Sequence, residues 1–443
     1  MVTILPRLRQ VREDLAKHLD RGAVEQACRQ AGHKWRTRKL CPFTLVHLFV
    51  LQVLYRNTAM THLPHLSGVT FTAAAYCQAR QRLPRAVLEQ LANQVGRHLH
   101  QNADGPLWHG HRLFMVDGSA FSMPDTAELQ AYFGQPGAQK RGCGFPVGHL
   151  LCLFDADRGY LSEPVVAPLR THDMIHVHEL HPRMRPRDIL LGDRGFCSYV
   201  HLALVFQGGL HAVFRIHQCQ RVSFRAHRPA ADQAGPGHPN SRWVRRLGRR
   251  DQLVEWRKPE SCPKWMTPEQ FAQLPETMVV RELRFRVREP NRERTITLVT
   301  TLLDPQEYPA EEIAALYRKR WQVEVDLRDL KIALGMDVLK GHSVDVVRKE
   351  VTVFVLVHNL VRLVAVQAAA RQRVHPARIS FTDALRWLQP PKPNGDLPDL
   401  VVNPLRPGRY EPRCRKRRPK NYPLMNKPRH ELRKRLKGPK PAA

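Results

Sequence analysis

LFMVDGSAFSM, residues 113–123, and DILLGDRGF, residues 188–196, each carry an apolar run into an aspartate, Asp117 or Asp193, with a glycine one or two residues later. Such a run reads as a buried strand that ends in an acid. A carboxylate at the carboxyl end of a strand, beside a glycine turn that lets other groups approach, is well placed to hold a cation. Taken singly, each aspartate also reads as the opening residue of an ordinary turn.

Between the two stretches lie GFPVGHLLCLFD (144–155) and GYLSEPVVAP (159–168), apolar segments joined by the turn Asp157-Arg158-Gly159. With residues 113–123 they predict a three-strand meander. DMIHVHELHPRM (173–184) reads as a helix, SYVHLALVFQGG (198–209) as a second helix and HAVFRIH (211–217) as a strand. Three strands, helix, strand, helix, strand is a mixed sheet flanked by helices, in the order of the ribonuclease H fold.

The composition shifts on both sides of this α/β region. Residues 1–104 read as a helical N-terminal domain, with apolar residues at helical spacing from about Leu45 to Leu99. In it Thr72 caps the run AAAYCQARQRL after the turn Ser67-Gly68, so Tyr76, Gln78, Arg80, Gln81 and Arg82 read as the DNA-facing side of a helix-turn-helix. A plain surface helix is the other reading. Residues 105–216 form the first part of the catalytic core. Residues 217–297 read as a β-rich insertion, with alternating segments such as VVRELRFRVRE, and residues 298–372 as the continued core. VTVFVLVHNLVRLVAVQAAA (351–370) carries His358, Asn359 and Arg362 at its middle, so it is expected as a buried helix and not a membrane span. Residues 373–443 are Pro-rich and then basic, with fifteen Lys or Arg against two Glu from Val401 onward. That tail reads as a solvated segment touching phosphate.

Charge narrows the partner. Seventy-one Lys and Arg against 40 Asp and Glu leave a formal charge of +31, which suits a polyanion. With no apolar span to point to a membrane, the expected partner is DNA. The first residues show no secretory signal, and nine scattered cysteines suggest reduced thiols, so the expected location is the cytoplasm.

A third carboxylate is expected from a helix starting at Pro309 and running to about Gly335. At about 100° per residue, Tyr317, Arg320, Glu324 and Lys331 share one stripe with Trp321 close by, whereas Asp326 and Asp329 fall outside it and are expected to face solvent. Glu324 is therefore the acid to join Asp117 and Asp193. Three converging carboxylates suit hard cations, Mg²⁺ or Mn²⁺, and two such ions stabilise both the attacking and the leaving oxygen of a phosphodiester. Arg320 and Lys331 then read as phosphate contacts, Tyr317 as a hydrogen-bond donor to phosphate, and Trp321 as either a base-stacking or a packing residue. His172, His176, His178 and His181, like His109 and His111, fit no common zinc spacing.

These residues resemble the DDE transposases of the insertion sequence four family. That family's Tyr, Arg, Glu, Lys signature matches Tyr317, Arg320, Glu324 and Lys331 at every spacing, and VDGS around Asp117 and GDRGF around Asp193 are similar to its two aspartate contexts. The resemblance implies a ribonuclease-H-like catalytic domain interrupted by a β insertion. It also implies N-terminal binding of terminal inverted repeats, joining of 3′ ends to target DNA, and a homodimer in the synaptic complex. A nuclease or resolvase of the same fold, and a DNA-binding protein derived from a transposase but no longer catalytic, are the alternatives.

Overall fold

The computed structural model describes residues 2–101, 107–137, 139–234, 238–289, 292–390, 396–405, 425 and 427–436. Most of the basic tail lies outside these. Helices begin well before Leu45: α1 is Leu5–Val11, α2 Arg21–Gln30, α3 Pro42–Leu54, α4 Ala73–Arg82 and α5 Arg85–Gln101. Thr72 caps α4 as expected, its Oγ1 accepting from Ala75 N–H at 3.2 Å.

The strands are β1 (Leu113–Ser122), β2 (Val147–Asp155), β3 (Val165–Pro168), β4 (Ile189–Gly192), β5 (His211–Arg215), β6 (Arg242–Gly248), β7 (Asp251–Arg257), β8 (Thr277–Glu289) and β9 (Arg292–Thr300). Among the described residues they form one nine-stranded sheet in the order β3-β2-β1-β4-β5-β9-β8-β7-β6. β1, β2 and β3 are the antiparallel meander, and β4 and β5 run parallel to β1. The expected insertion does not stand apart as a sheet of its own. β9 pairs with β5 through Val213–Thr300 and Arg215–Leu298, so the long β6–β9 strands extend the first sheet.

Helix α6 (Tyr199–Gln207) packs below β5, α7 is Ala310–Lys319, α8 is Gln322–Arg328 and α9 is Val344–Gln372. Residues 173–184 differ from expectation: a four-residue α-helix passes into a 3₁₀ segment containing Pro182. Proline lacks the N–H and crowds the preceding turn, which suits the tighter helix.

Strand alternation gives the sheet two faces. Leu113, Met115, Ile189, Leu191 and Val213 point into a core shared with α3, α5, α7, α8 and α9, and Phe114, Val116, Leu190, Ala212 and Phe214 into one beneath α6. The N-terminal helices thus share a continuous apolar core with one side of the sheet.

Helix α9 would pass as a membrane span by length and apolarity, but 83% of its apolar window is buried inside the protein. Its polar residues, costly in hydrocarbon, are matched by the backbone of the β2–β3 turn. His358 Nε2 lies 3.0 Å from Gly159 O, Asn359 accepts from Leu161 N–H and donates to Leu161 O at 2.8 Å each, and Arg362 Nε donates to Arg158 O at 2.8 Å. A buried polar group costs little once it is hydrogen-bonded, and these side chains are, although His358 Nδ1 has no partner among the described residues.

Candidate active site

Asp117 and Asp193 come together through strand register. β1 and β4 pair in parallel through Met115–Leu191, and two residues further along that register Asp117 stands beside Asp193. β4 and β5 pair as far as Gly192–Phe214, and Asp193 and Arg215 are the next residues along the two chains. All three share the side-chain parity of Met115, Leu191 and Val213, and so occupy the face covered by α7 and α8.

The helix expected from Pro309 to Gly335 is broken. α7 stops at Lys319, Val323 N–H bonds to Arg320 O and Glu324 N–H to Trp321 O, and a π-helical turn spans Asp329–Ala333 before Gly335 takes φ +86°. A uniform 100° wheel therefore does not describe the segment. Asp326 and Asp329, expected in solvent, are 1% and 9% exposed, and burial raises the pKa of both, that of Asp326 to about 6. Asp326 accepts from Gln322, and Asp329 pairs with Arg328 at 3.3 Å. The sequence pattern missed this because both acids are buried within reach of the charge of Arg362, which no local spacing encodes.

Glu324 lies near enough to Asp117 for its charge to act on it. α8 packs on β1, and Asp117 carries a pKa raised to about 6, chiefly by burial; Gly118 N–H and Arg320 lower it, and the charges of Asp193 and Glu324 raise it. Each carboxylate is meanwhile held locally. Gly118 N–H donates to Asp117 Oδ1 at 2.8 Å, Gly195 N–H to Asp193 Oδ1 at 2.7 Å, and Arg320 Nη2 lies 3.6 Å from Glu324 Oε1. Among the described residues no three acidic, His or Cys side chains already form a closed metal cluster. The donor set is all carboxylate oxygen and its members repel one another, so it fits a hard divalent cation.

The other predicted residues divide by exposure. Tyr317 is 7% exposed, with the Arg320 guanidinium 5.9 Å from its ring; burial raises its hydroxyl pKa, against the opposing pull of Arg320 and Arg215. Lys331 is half-buried and acts electrostatically on Cys152, the β2 residue paired with Asp117. Trp321 is 53% exposed and turned outward. The sequence reading missed Arg215. Burial first, then the like charges of Arg294, Arg194 and Arg320, lower its pKa, so its guanidinium lies within electrostatic reach of three others. Its signal was available in HAVFRIH, an apolar strand ending in a cation. Asp193 directly follows β4, but Asp117 corrects the expectation of a strand end: it sits in the middle of β1, which runs on to Ser122 in pairing with β2.

Gly118 faces the opposite side of the sheet. A Cβ there would stand 2.7 Å from Asp173 Oδ1, and Asp173 is paired with His149. Histidines 176 and 181 are spent on Glu179 and His201, consistent with the rejected zinc reading. The expected DNA-facing side of α4 needs correction: Tyr76 and Arg80 are 0% and 3% exposed, while Gln78, Gln81 and Arg82 face out.

The family model described as "Transposase DDE domain" matches residues 108–360, which include all three carboxylates. The chain belongs to the DDE transposases, metal-dependent enzymes that cleave and join DNA. Transposase InsG for insertion sequence element IS4, from Escherichia coli strain K12, is 23% identical over 377 residues, covering 80% of this chain and 78% of InsG. Putative transposase InsZ of the same organism is 28% identical over 207 residues, 44% of this chain and 67% of InsZ. These relatives set the chain among the transposases of the insertion sequence four family. A piggyBac transposase synaptic complex with hairpin DNA, solved by cryo-electron microscopy, aligns with a TM-score of 0.45 at 10% identity, over 87% of this chain and 78% of that one.

Proposed function

We propose that the chain binds the terminal inverted repeats of an insertion sequence, cleaves the phosphodiester bonds at its ends and joins the 3′ ends to target DNA. The observation that carries this is the placement of Asp117 beside Asp193 under α8, with Glu324 close enough to raise the Asp117 pKa. Asp117, Asp193 and Glu324 are the catalytic carboxylates and would hold Mg²⁺ or Mn²⁺, two ions in all. When bound, the ions supply positive charge to the attacking and leaving oxygens.

The chain's own residues position the DNA. Arg320, Arg215 and Lys331 hold the scissile and adjoining phosphates by charge-assisted hydrogen bonds. Tyr317 fixes the Arg320 guanidinium over its ring and donates to phosphate, and Trp321 stacks on an unpaired base. In this reading residues 1–104 contact the terminal repeats. Residues 105–216 and 298–372 form the ribonuclease-H-like core, 217–297 a β-rich insertion and 373–443 a basic tail. The protein works on DNA in the cytoplasm, as a homodimer that synapses both ends.

The test is cleavage of a linear duplex bearing the element's own ends, with Mg²⁺ present. Asp117→Ala, Asp193→Ala and Glu324→Ala should each abolish cleavage while retaining end binding. Cleavage by any one of them removes that residue from the site.

A further inference from the structure

Between Lys331 and α9 the chain passes through Leu334–Gly341, which is tied down on two sides. On one side it joins β1: Ser122 N–H donates to Asp337 O at 3.0 Å, and Leu339 N–H donates to Ser122 O at 2.9 Å. Ser122 is the last residue of the strand that carries Asp117. On the other side it joins the N-terminal helices. Lys340 Nζ donates to Asn57 O, and the Lys340 and Gly341 N–H groups donate to Glu350 Oε2 at 2.8 and 3.1 Å.

The second oxygen of Glu350 serves a different element. Glu350 Oε1 accepts from Arg80 Nη2 at 2.9 Å, and Arg80 Nη1 donates at 3.2 Å to Gln52 Oε1, which also accepts from Tyr76. Glu350 and Gln52 are 0% exposed. Next to Glu350, Lys349 Nζ donates to the carbonyls of Arg80 and Gln81 at the carboxyl end of α4. Helix α4 is thus gripped twice by α9, while its outer face carries Gln78, Gln81 and Arg82.

A buried ion pair is a weak source of stability, because desolvation offsets most of its attraction, and apolar residues of similar volume often serve as well. What this pair supplies is a geometry: both Glu350 oxygens and both Arg80 Nη atoms are hydrogen-bonded, and Arg80 Nε, among the described residues, is not. Here one carboxylate joins a helix whose exposed face is polar and basic to the backbone that follows Lys331. Asp337 N–H bonds back to Lys331 O at 3.4 Å, which completes the route to the candidate site.

We propose that Glu350 is a positioning residue: through Arg80 on one side and the Lys340–Gly341 amides on the other, it makes end-DNA binding on α4 set the position of Lys331. This rests on the reading above, in which the N-terminal helices bind the element's ends and Lys331 holds phosphate.

The test is the double variant Arg80→Met/Glu350→Met, which replaces the pair with apolar side chains. It should melt lower, because the Lys340 and Gly341 N–H groups lose their acceptor, but at a temperature where it is fully folded it should keep its affinity for an end duplex and lose about tenfold in the cleavage rate constant at saturating protein. Lys331→Ala should cost much less in that background than in the wild type, because residues acting through one another are not additive. Wild-type cleavage by the double variant, or fully multiplicative losses, overturns the proposal. Normal cleavage by Lys331→Ala alone instead removes Lys331 from the site, and the proposal falls with the reading beneath it. Hydrogen exchange on the wild-type protein is an independent check should the variant not fold: end duplex should slow the Lys340 and Gly341 amides, and unchanged exchange overturns the coupling.

Discussion

Arg320 and Glu324 form an ion pair, Nη2 to Oε1 at 3.6 Å, at the break between α7 and α8. The carboxylate proposed to bind a cation is thus already held by one from its own chain. Arg320→Ala should therefore act in two directions. It should lower cleavage by about tenfold or more through the lost phosphate contact, yet tighten binding of Mn²⁺ to the DNA-free protein. Calorimetric titration that finds weaker or equal metal binding would show that the pair does not compete with the ion.

Asp117 should be a liability to the metal-free fold. Its pKa rises to about 6 in the folded protein from an ordinary value of 3.8, so stability falls as pH rises through that window, and above it the ionised form costs about 3 kcal/mol. Asp117→Asn should raise the melting temperature at pH 7.5 without metal while abolishing cleavage. Mg²⁺ should stabilise the wild type more than the variant. A variant that melts lower than wild type in EDTA contradicts this account.

Acid should unfold the protein early. His47 and His358 are buried and neutral, with burial pushing their pKa values down to about 4 and about 3 from 6.5. Burial also depresses His181 and His201, which hydrogen-bond each other through Nε2. A depressed folded value means that stability is full above about pH 6.5 and is lost as pH falls toward 4, by up to about 1.4 kcal/mol per pH unit for each group. Urea midpoints measured from pH 7 to pH 5 should fall steadily, and a flat profile would count against these neutral histidines.

Helix α4 should separate recognition from stability. Arg82→Ala, at an exposed position, should weaken end binding and leave melting unchanged. Tyr76→Phe removes the hydroxyl that donates to Gln52 at 3.0 Å, so it should cost about 1 kcal/mol of stability with little effect on binding. The reverse pattern would mean that α4 meets DNA through some other face.

Arg215→Ala should reduce the dependence of DNA affinity on salt by about one unit of slope, the loss of a single phosphate contact. An unchanged slope removes Arg215 from the DNA path.

Much of the catalytic sheet was legible in the sequence because its signals are local. A continuously apolar run leading into Asp117 or Asp193 marks a buried strand, and β1–β5 follow at the expected places, although β1 runs on past Asp117 to Ser122. The fates of Tyr76, Arg80, Asp326 and Asp329 were not legible. Each is polar on a helix, which usually means solvent, and each is buried by packing between segments distant in sequence, where Arg80 meets Glu350, Tyr76 meets Gln52 and the charge of Arg362 acts on Asp326 and Asp329.

By itself the sequence determined which residues could do this chemistry: two aspartates following apolar strand runs, a Tyr, Arg, Glu, Lys spacing and a strongly basic charge. Those depend on residue type and on spacings within one element. Tertiary structure alone decided that β6–β9 continue the catalytic sheet, that Arg215 joins the aspartates, and that the Glu helix breaks at Arg320 and ends in a π turn. Each of these depends on strand register and packing between segments distant in sequence, and no local periodicity encodes which distant surface a side chain will meet.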